Sequence, residues 1–284
     1  MTIKYVFSDI DGVLVGTKKG INFPQPHHQT IQTLINLHRK RVGFSLLTAK
    51  ATFSILPLIK HFPFNYYHSG DNGATIINGQ NLSVSLIDYL DSNLIKQLFP
   101  HVLNFCGELY TISNWYVINN NPRYQNIIQR HQDILETSPQ LFKLTDLNKL
   151  KIIRLSLIAS NQQEITIIEQ ALNNFKDKIN IKWLINPYMP QTSFAIVTPK
   201  NISKKNIVIK IMANNNLNPE ECLAIGDSNS DYEFMSLCQY QATLDNGQMN
   251  LKINIKKNNG YISHLSVDDG GFLDIVKNYF VYEI

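Results

Sequence analysis

The 284-residue chain is long enough for two domains, and its 44% hydrophobic and 17% charged residues are typical of a folded protein rather than a disordered one. A net charge of +4, with basic residues in scattered short pairs, argues against a nucleic-acid-binding protein. The three cysteines have no metal-site spacing and no apolar run is long enough to cross a bilayer, so we expect reduced thiols, a cytoplasmic protein and no membrane partner.

The first third of the chain alternates strand and helix patterns. The predicted elements are a strand at Tyr5–Ser8, a helix around 31–38, a strand at 43–47, a helix at 53–60 and a strand at 64–68. Such a βαβαβ order predicts a parallel sheet covered by helices.

The pattern changes over residues 81–190. Strand patterns and one clear helical pattern follow, at 110–112, 115–118, 152–159, 164–175 (the helix) and 181–184. The opening pattern then returns, with a helix around 207–212, a strand at Cys222–Ile225 and helices at 232–237 and 272–280. We therefore predict an α/β fold in which 1–80 and 191–284 form one discontinuous domain and 81–190 an inserted α+β domain.

Polar side chains follow three of the predicted strands. Asp9 and Asp11 come directly after the first strand, Thr48 after the second, and Asp227 after a late one, with Asp231 one turn further on. Because the carboxyl ends of parallel strands share one edge of a sheet, these groups are expected to converge. Four converging carboxylates repel each other unless a hard cation such as Mg²⁺ joins them. Asp9 is then placed to attack phosphorus while Asp11 moves protons.

Each of these residues also has a simpler interpretation. An isolated Asp-x-Asp pair is found in solvated loops and in the metal–nucleotide sites of glycosyltransferases. Thr48 alone is typical of a helix N-cap, and Asp231 alone of a first helical turn that is stabilised by the macrodipole.

The ordered motifs together resemble those of the haloacid dehalogenase (HAD) superfamily. They are Asp9-Ile-Asp11-Gly-Val-Leu, Thr48, a lysine ahead of a helix, and Gly226-Asp227 with Asp231. Further segments resemble the superfamily's Cof-like branch, which has a C2-type (C2B) cap between the second and third motifs: Asp71-Asn-Gly-Ala, Pro199-Lys-Asn-Ile-Ser-Lys204 and Asp268-Asp-Gly-Gly. The resemblance implies a Rossmann-like parallel-sheet core and an inserted cap that selects the substrate.

The resemblance also implies roles for the matching positions. Asp9 is the expected nucleophile and a magnesium ligand, and Asp11 the general acid and then base, with its backbone carbonyl also on the metal. The phosphate group is expected to contact Thr48, Ala49 and Lys204, and the metal Asp227 and Asp231. Lys204 is preferred over Lys205 because of its spacing from Ser203.

The chain departs from the family pattern near the phosphate site. Ala49 and Lys50 stand where Gly and Arg are typical, and Ser230 replaces an Asn. None of these changes removes a core group.

The presence of Asp11 favours a phosphatase over a dehalogenase, because a leaving alkoxide needs a proton. We expect a magnesium-dependent phosphatase that hydrolyses a small phosphorylated metabolite, with a sugar phosphate as the leading substrate class, through an aspartyl-phosphate. The alternatives are a phosphotransferase or mutase and a non-catalytic phosphometabolite-binding regulatory protein. Either a monomer or a homodimer fits the sequence.

Five residues of the predicted cap have two interpretations. They either contact the substrate or simply belong to the core or surface of the cap: Trp115, Tyr116, Arg123, Tyr124 and Arg154.

Overall fold

The computed structural model describes residues 3–60, 66–119, 121–185 and 191–280. Backbone packing divides the chain into two compact units. The first comprises Met1–Lys50, Ile55–Ser85 and Ser203–Ile284, and the second comprises Ala51–Ser54 and Leu86–Ile202.

Strands and helices alternate along most of the described chain. The strands are β1 Tyr5–Ser8, β2 Gly43–Leu46, β3 Tyr67–His68, β4 Thr75–Asn78, β5 Val84–Leu86, β6 Gly107–Tyr110, β7 Trp115–Val117, β8 Gln140–Leu141, β9 Arg154–Ala159, β10 Ile179–Ile185, β11 Ser193–Pro199, β12 Cys222–Ile225, β13 Tyr240–Thr243 and β14 Tyr261–Ile262. The α-helices are α1 His28–Arg39, α2 Thr52–Lys60, α3 Ser92–Val102, α4 Gln125–Leu135, α5 Gln162–Leu172, α6 Lys204–Asn214, α7 Tyr232–Met235, α8 Met249–Lys257 and α9 Gly271–Phe280.

The first unit is built on a five-stranded parallel sheet in the order β14-β13-β12-β1-β2. The predicted parallel sheet is therefore confirmed, and β1 lies in its interior between strands from opposite ends of the chain. Ser8 pairs with both Ile225 and Leu46, so the carboxyl ends of β1, β12 and β2 lie side by side. This register brings the three polar segments to one edge.

The prediction that the third strand of the βαβαβ unit belongs to this parallel sheet is wrong. The segment β3 instead pairs antiparallel with β4, in a separate sheet of order β3-β4-β5. Parallel pairing with the end of β2 is limited to one bridge between Leu47 and Ser69, because the chain turns at Gly70. Residues 64 and 65 of the predicted strand lie outside the described residues.

The core of the first unit is formed by buried side chains of the sheet strands and of the helices that pack on them. Its fully buried members include Val6, Phe44 and Leu223 from the sheet, together with Leu34 of α1 and Phe272 of α9. The rings of Phe44 and Phe272 meet edge to face at 6.3 Å. Removal of this apolar surface from water is the main term that holds the helices on the sheet.

The second unit has a six-stranded sheet of order β10-β11-β9-β6-β7-β8, which is antiparallel except between β7 and β8. Its main apolar cluster joins one sheet face to α3 and α5, for example through Leu98, Leu155 and Leu172. The unit extends to Ile202, beyond the boundary predicted at residue 190, because β11 pairs with both β9 and β10. The helices α3 and α4 were not predicted.

None of the helices in the described ranges is both long enough and apolar enough to span a membrane. Cys106, Cys222 and Cys238 are buried free thiols.

Candidate active site

Three carboxylates meet at the carboxyl edge of the parallel sheet. Asp9 directly follows β1 and Asp227 lies two residues after β12, while Asp231 precedes α7. One oxygen from each of the three lies within 4.8 Å of the others. Asp9 and Asp231 are buried, and Asp227 is partly exposed. The sheet register thus produces a compact acidic cluster that opens toward solvent on the Asp227 side.

A single buried lysine side chain enters this cluster. Nζ of Lys204 lies 3.1 Å from Oδ1 of Asp9 and 2.7 Å from Oδ1 of Asp231. Its position follows from the start of α6, where the Ser203 side chain accepts a hydrogen bond from the Asn206 backbone N–H at 3.2 Å. The neighbouring Lys205 is exposed.

Asp231 makes contacts with its own loop as well as with the lysine. Its Oδ2 accepts hydrogen bonds from the Ser228 backbone N–H at 3.1 Å, the Ser228 hydroxyl at 2.8 Å and the Asp227 N–H at 3.3 Å. This fully buried carboxylate therefore fixes the loop that carries Asp227 and, through Oδ1, the ammonium group of Lys204.

The charges in the cluster do not balance. Burial raises the pKa of Asp9, and the carboxylates of Asp231 and Asp11 raise it further, although Lys204 opposes the shift. Burial and the neighbouring Asp9 and Asp231 likewise raise the pKa of Asp227 well above its usual range. Burial alone lowers the pKa of Lys204, but the two adjacent carboxylates outweigh it and raise that pKa. An additional cation would relieve the excess negative charge.

Thr48 and Lys50 lie beside the cluster on the loop after β2. Thr48 is 1% exposed, and its Oγ1 accepts a hydrogen bond from the Lys50 backbone N–H at 3.0 Å. The Lys50 side chain reaches back, and its Nζ lies 3.0 Å from Oδ1 of Asp11. The side chain of Asp11 is 42% exposed, in contrast to the buried Asp9. The two aspartates after β1 therefore occupy different electrostatic environments.

The turn at Asp71–Gly73 contacts both this loop and the start of α6, the helix that begins with Lys204. All three of its residues have positive φ, and a Cβ on Gly73 would lie only 2.5 Å from the Ser203 carbonyl oxygen. The first two backbone N–H groups of the turn donate to the carbonyl oxygens of Lys50 and Thr48 at 2.8 and 2.9 Å. A glycine at position 73 is required by both the left-handed conformation and the close approach.

Sequence reasoning assigned no site contact to three residues that the structure brings to the site. They are Asn246 and Gln248 on the loop after β13, and Lys50, which the sequence marked only as a departure from the family pattern and whose pairing with Asp11 could not be read from spacing. The available signal was that Asp245-Asn246-Gly247 follows a strand of the same parallel sheet, and therefore comes to the same edge.

The structure places the cap residues singled out from the sequence within the packing of the second unit. Arg123 forms an ion pair with Glu164 at 2.7 Å, and the Trp115 indole N–H donates to the Thr137 carbonyl oxygen at 2.9 Å. The Arg154 guanidinium lies 3.8 Å from the ring centroid of Tyr110. These side chains support the fold of the second unit itself.

The sequence from residue 6 to residue 269 matches the family model described as haloacid dehalogenase-like hydrolase. The chain belongs to this family. A protein of Mycoplasma genitalium named as a putative phosphatase is 21% identical over 269 residues, which cover 90% of this chain and 92% of that protein. A haloacid dehalogenase-like hydrolase from Bacteroides thetaiotaomicron has a similar structure, with a TM-score of 0.80, 20% identity, and coverage of 98% of this chain and 99% of that one. The HAD subclass IIB sugar phosphatase BT4131 superposes with a TM-score of 0.74, 17% identity, and coverage of 97% and 98%.

The acidic cluster of this haloacid dehalogenase-like hydrolase has the donors that a hard divalent cation prefers. Its three carboxylates offer oxygen atoms at close spacing, and the pKa values of Asp9 and Asp227 are raised by burial and by neighbouring carboxylates. The set contains no sulfur or imidazole donor, which argues against a soft metal.

Proposed function

We propose that the protein is a magnesium-dependent phosphatase that hydrolyses a small phosphorylated metabolite through an aspartyl-phosphate. The observation that carries this proposal is Lys204, a buried ammonium group within 3.1 Å of Asp9 and 2.7 Å of Asp231, beside a third carboxylate, Asp227. A nucleophilic carboxylate, a cation on its flank and a cluster of oxygen ligands are the parts that phosphoryl transfer requires.

The residues divide the chemistry between two steps. A carboxylate oxygen of Asp9 attacks phosphorus, the bond to the leaving oxygen breaks, and Asp11 donates a proton to that oxygen. Asp11 then accepts a proton from a water molecule as the water attacks phosphorus, which releases phosphate and regenerates Asp9. The exposed position of Asp11 suits this exchange with water, whereas the buried Asp9 is shielded from it.

The remaining groups bind the phosphoryl oxygens. Thr48 offers its hydroxyl proton, Ala49 its backbone N–H, and Lys204 offsets the negative charge that develops in the transition state. We assign the cation to Asp9, Asp227 and the Asp11 backbone carbonyl. Asp231 supports the same site because it accepts hydrogen bonds from the Lys204 ammonium and from the Asp227 backbone N–H. Magnesium supplies charge neutralisation at the phosphoryl group when it is bound.

We propose a sugar phosphate as the substrate class, with the second unit as the cap that selects it. The similarity to a sugar phosphatase over 97% of the chain supports this choice. The basic residues are scattered in short pairs along the sequence, which favours a small substrate over a nucleic acid.

A screen for phosphate release tests the proposal. Purified protein is incubated with a panel of phosphorylated metabolites, with and without Mg²⁺, beside the variants Asp9→Asn and Asp133→Asn. Asp133 is an exposed aspartate on α4 and serves as the matched control. We expect magnesium-dependent release that Asp9→Asn abolishes and Asp133→Asn retains. Full activity in Asp9→Asn refutes the mechanism, and transfer of phosphate to an added acceptor in place of water identifies a phosphotransferase.

A further inference from the structure

The loop after β13 contacts both segments that carry the acidic cluster. Nδ2 of Asn246 donates a hydrogen bond to the Gly12 carbonyl oxygen at 2.8 Å. Two residues later, the Gln248 backbone N–H donates to the Asp227 carbonyl oxygen at 2.8 Å. The Gln248 side chain adds a third bond, because its Oε1 accepts from the Asn229 backbone N–H at 2.9 Å. One short loop therefore holds the segment 9–12 and the segment 226–231 at the same time.

The orientation of the Asn246 amide is fixed from its other side. The Val267 backbone N–H donates to Oδ1 of Asn246 at 2.8 Å, so Nδ2 must face Gly12. A flipped amide would set oxygen against the Gly12 carbonyl and nitrogen against the Val267 N–H, which loses both bonds. The contact with Gly12 is therefore directional.

The two acidic segments lie unusually close to each other at Gly12. This residue has φ +76°, and a Cβ there would lie 2.1 Å from Oδ2 of Asp227. Carboxylate oxygens of Asp9 and Asp227 lie within 4.8 Å of each other, so their negative charges repel across the same gap. The hydrogen bonds from Asn246 and Gln248 hold the two backbone segments together against this repulsion. They use neutral groups and so add no charge to the cluster.

We propose that Asn246 and Gln248 are positioning residues that fix the spacing between Asp9 and Asp227 for a divalent cation. They act through backbone groups of the two acidic segments and not through the substrate. The catalytic consequence rests on the proposed function, whereas the consequence for cation binding stands independently of it.

Binding of Mn²⁺ alone, measured without substrate by the EPR signal of the free ion, tests the proposal. We expect Asn246→Ala to weaken Mn²⁺ binding by about tenfold. Loss of a residue that orients metal ligands without contacting the metal usually has an effect of this size. The control is Asn258→Ala, which removes another asparagine amide of the first unit, one that bonds to the Tyr232 hydroxyl at 2.8 Å and to Gln241. Its affinity is expected to match that of the wild type. A folded Asn246→Ala protein that binds Mn²⁺ as tightly as the control overturns the proposal.

Gln248→Met provides a second variant in case Asn246→Ala does not fold. Methionine keeps the side-chain length and the backbone bond to Asp227 but removes the acceptor for Asn229. We expect a smaller loss of Mn²⁺ affinity, about threefold, the scale of one lost hydrogen bond, with a circular dichroism spectrum like that of the wild type. Unchanged affinity in this variant overturns the proposal equally.

Steady-state kinetics separates a positioning role from general destabilisation. Asn246→Ala is expected to raise the Mg²⁺ concentration for half-maximal activity and to lower kcat, with the KM for the phosphorylated substrate nearly unchanged. A variant that merely unfolds more easily would lower the active fraction at an unchanged Mg²⁺ requirement. If the wild type releases phosphate from no substrate, the proposed function fails, and the Mn²⁺ affinities still decide the role of the loop.

Discussion

The ammonium group of Lys204 lies closer to Asp231, at 2.7 Å, than to Asp9, at 3.1 Å. Asp231 also accepts hydrogen bonds from Ser228 and from the Asp227 N–H, and is fully buried. The residue therefore differs from Asp227, whose pKa is raised first by burial and then by the neighbouring carboxylates of Asp9 and Asp231. Within one acidic cluster, the charged form of Asp231 stabilises the fold, whereas the charged form of Asp227 is disfavoured in it.

Asp231→Asn and Asp227→Asn are therefore expected to change stability in opposite directions. Breaking the buried Lys204–Asp231 pair should lower the free energy of unfolding by about 3–5 kcal/mol. Removing the charge of Asp227 relieves repulsion and should raise the midpoint of thermal unfolding by about 2 °C. Calorimetry in EDTA-containing buffer measures both changes without bound metal. Equal destabilisation by the two variants would contradict this division of roles.

Gly12→Ala is expected to damage the site, and Gly20→Ala provides a matched control. The two glycines have φ of +76° and +77°, so the backbone strain of an alanine, about 1 kcal/mol, is the same. The new Cβ meets Asp227 at position 12 but no atom of the described residues within 4 Å at position 20. Displacement of the Asp227 carboxylate should reduce kcat by about 100-fold in Gly12→Ala alone. Similar activity in the two variants would show that the close approach is not required.

Lys50→Met is expected to weaken the binding of inorganic phosphate. The Lys50 ammonium lies 3.0 Å from Asp11 and is partly exposed, so it offers positive charge near the proposed phosphate site. Its removal should raise the inhibition constant for phosphate about fivefold, the scale of one screened charge at this range. The exposed neighbour Lys205 provides the control variant, Lys205→Met, for which no change is expected. An unchanged inhibition constant in Lys50→Met would limit Lys50 to its contact with Asp11.

His68 is expected to make the stability of the fold sensitive to mild acid. Burial lowers the pKa of this side chain from 6.5 to about 3, and its Nδ1 accepts a hydrogen bond from the Leu46 backbone N–H at 3.1 Å. Between pH 6.5 and 3 the unfolded chain binds a proton that the folded protein does not, so stability is complete above pH 6.5 and is lost as the pH falls.

The pH dependence of urea unfolding checks this expectation. The His68 contribution should fall by about 2 kcal/mol between pH 6.5 and 5. In His68→Asn, whose side-chain oxygen keeps an acceptor near Leu46, that part of the decrease should be absent. Parallel pH curves for the wild type and the variant would rule out this assignment.

The parallel core of this fold could be predicted because its strands are short, buried and followed directly by polar residues. Both β1 and β12 have the predicted bounds, and the edge that joins Asp9 to Asp227 follows from parallel pairing alone. The segment β3 was assigned to the wrong sheet, because local periodicity does not reveal that the chain turns back at Gly70.

The side-chain network around the site was less accessible from the sequence. The spacing of Lys204 from Ser203 indicated which lysine enters the cluster, but not that Asp231 holds it. The contact of Lys50 with Asp11 depends on loop geometry, and the bond of Asn246 to Gly12 joins residues that lie 234 positions apart. Such pairings have no periodic signature.

The interior position of β1 has a consequence for synthesis on the ribosome. Its two neighbours are β2, made at once, and β12, which begins about 180 residues after β2 ends. A nascent chain that ends near residue 200 contains the whole segment of Asp9 and Thr48 but neither Lys204 nor Asp227. The β12 side of β1 then remains unpaired while the second unit forms around its own core. The proposed reaction centre therefore cannot be complete until the second unit has been synthesised, because Lys204 and Asp227 follow that unit in the sequence.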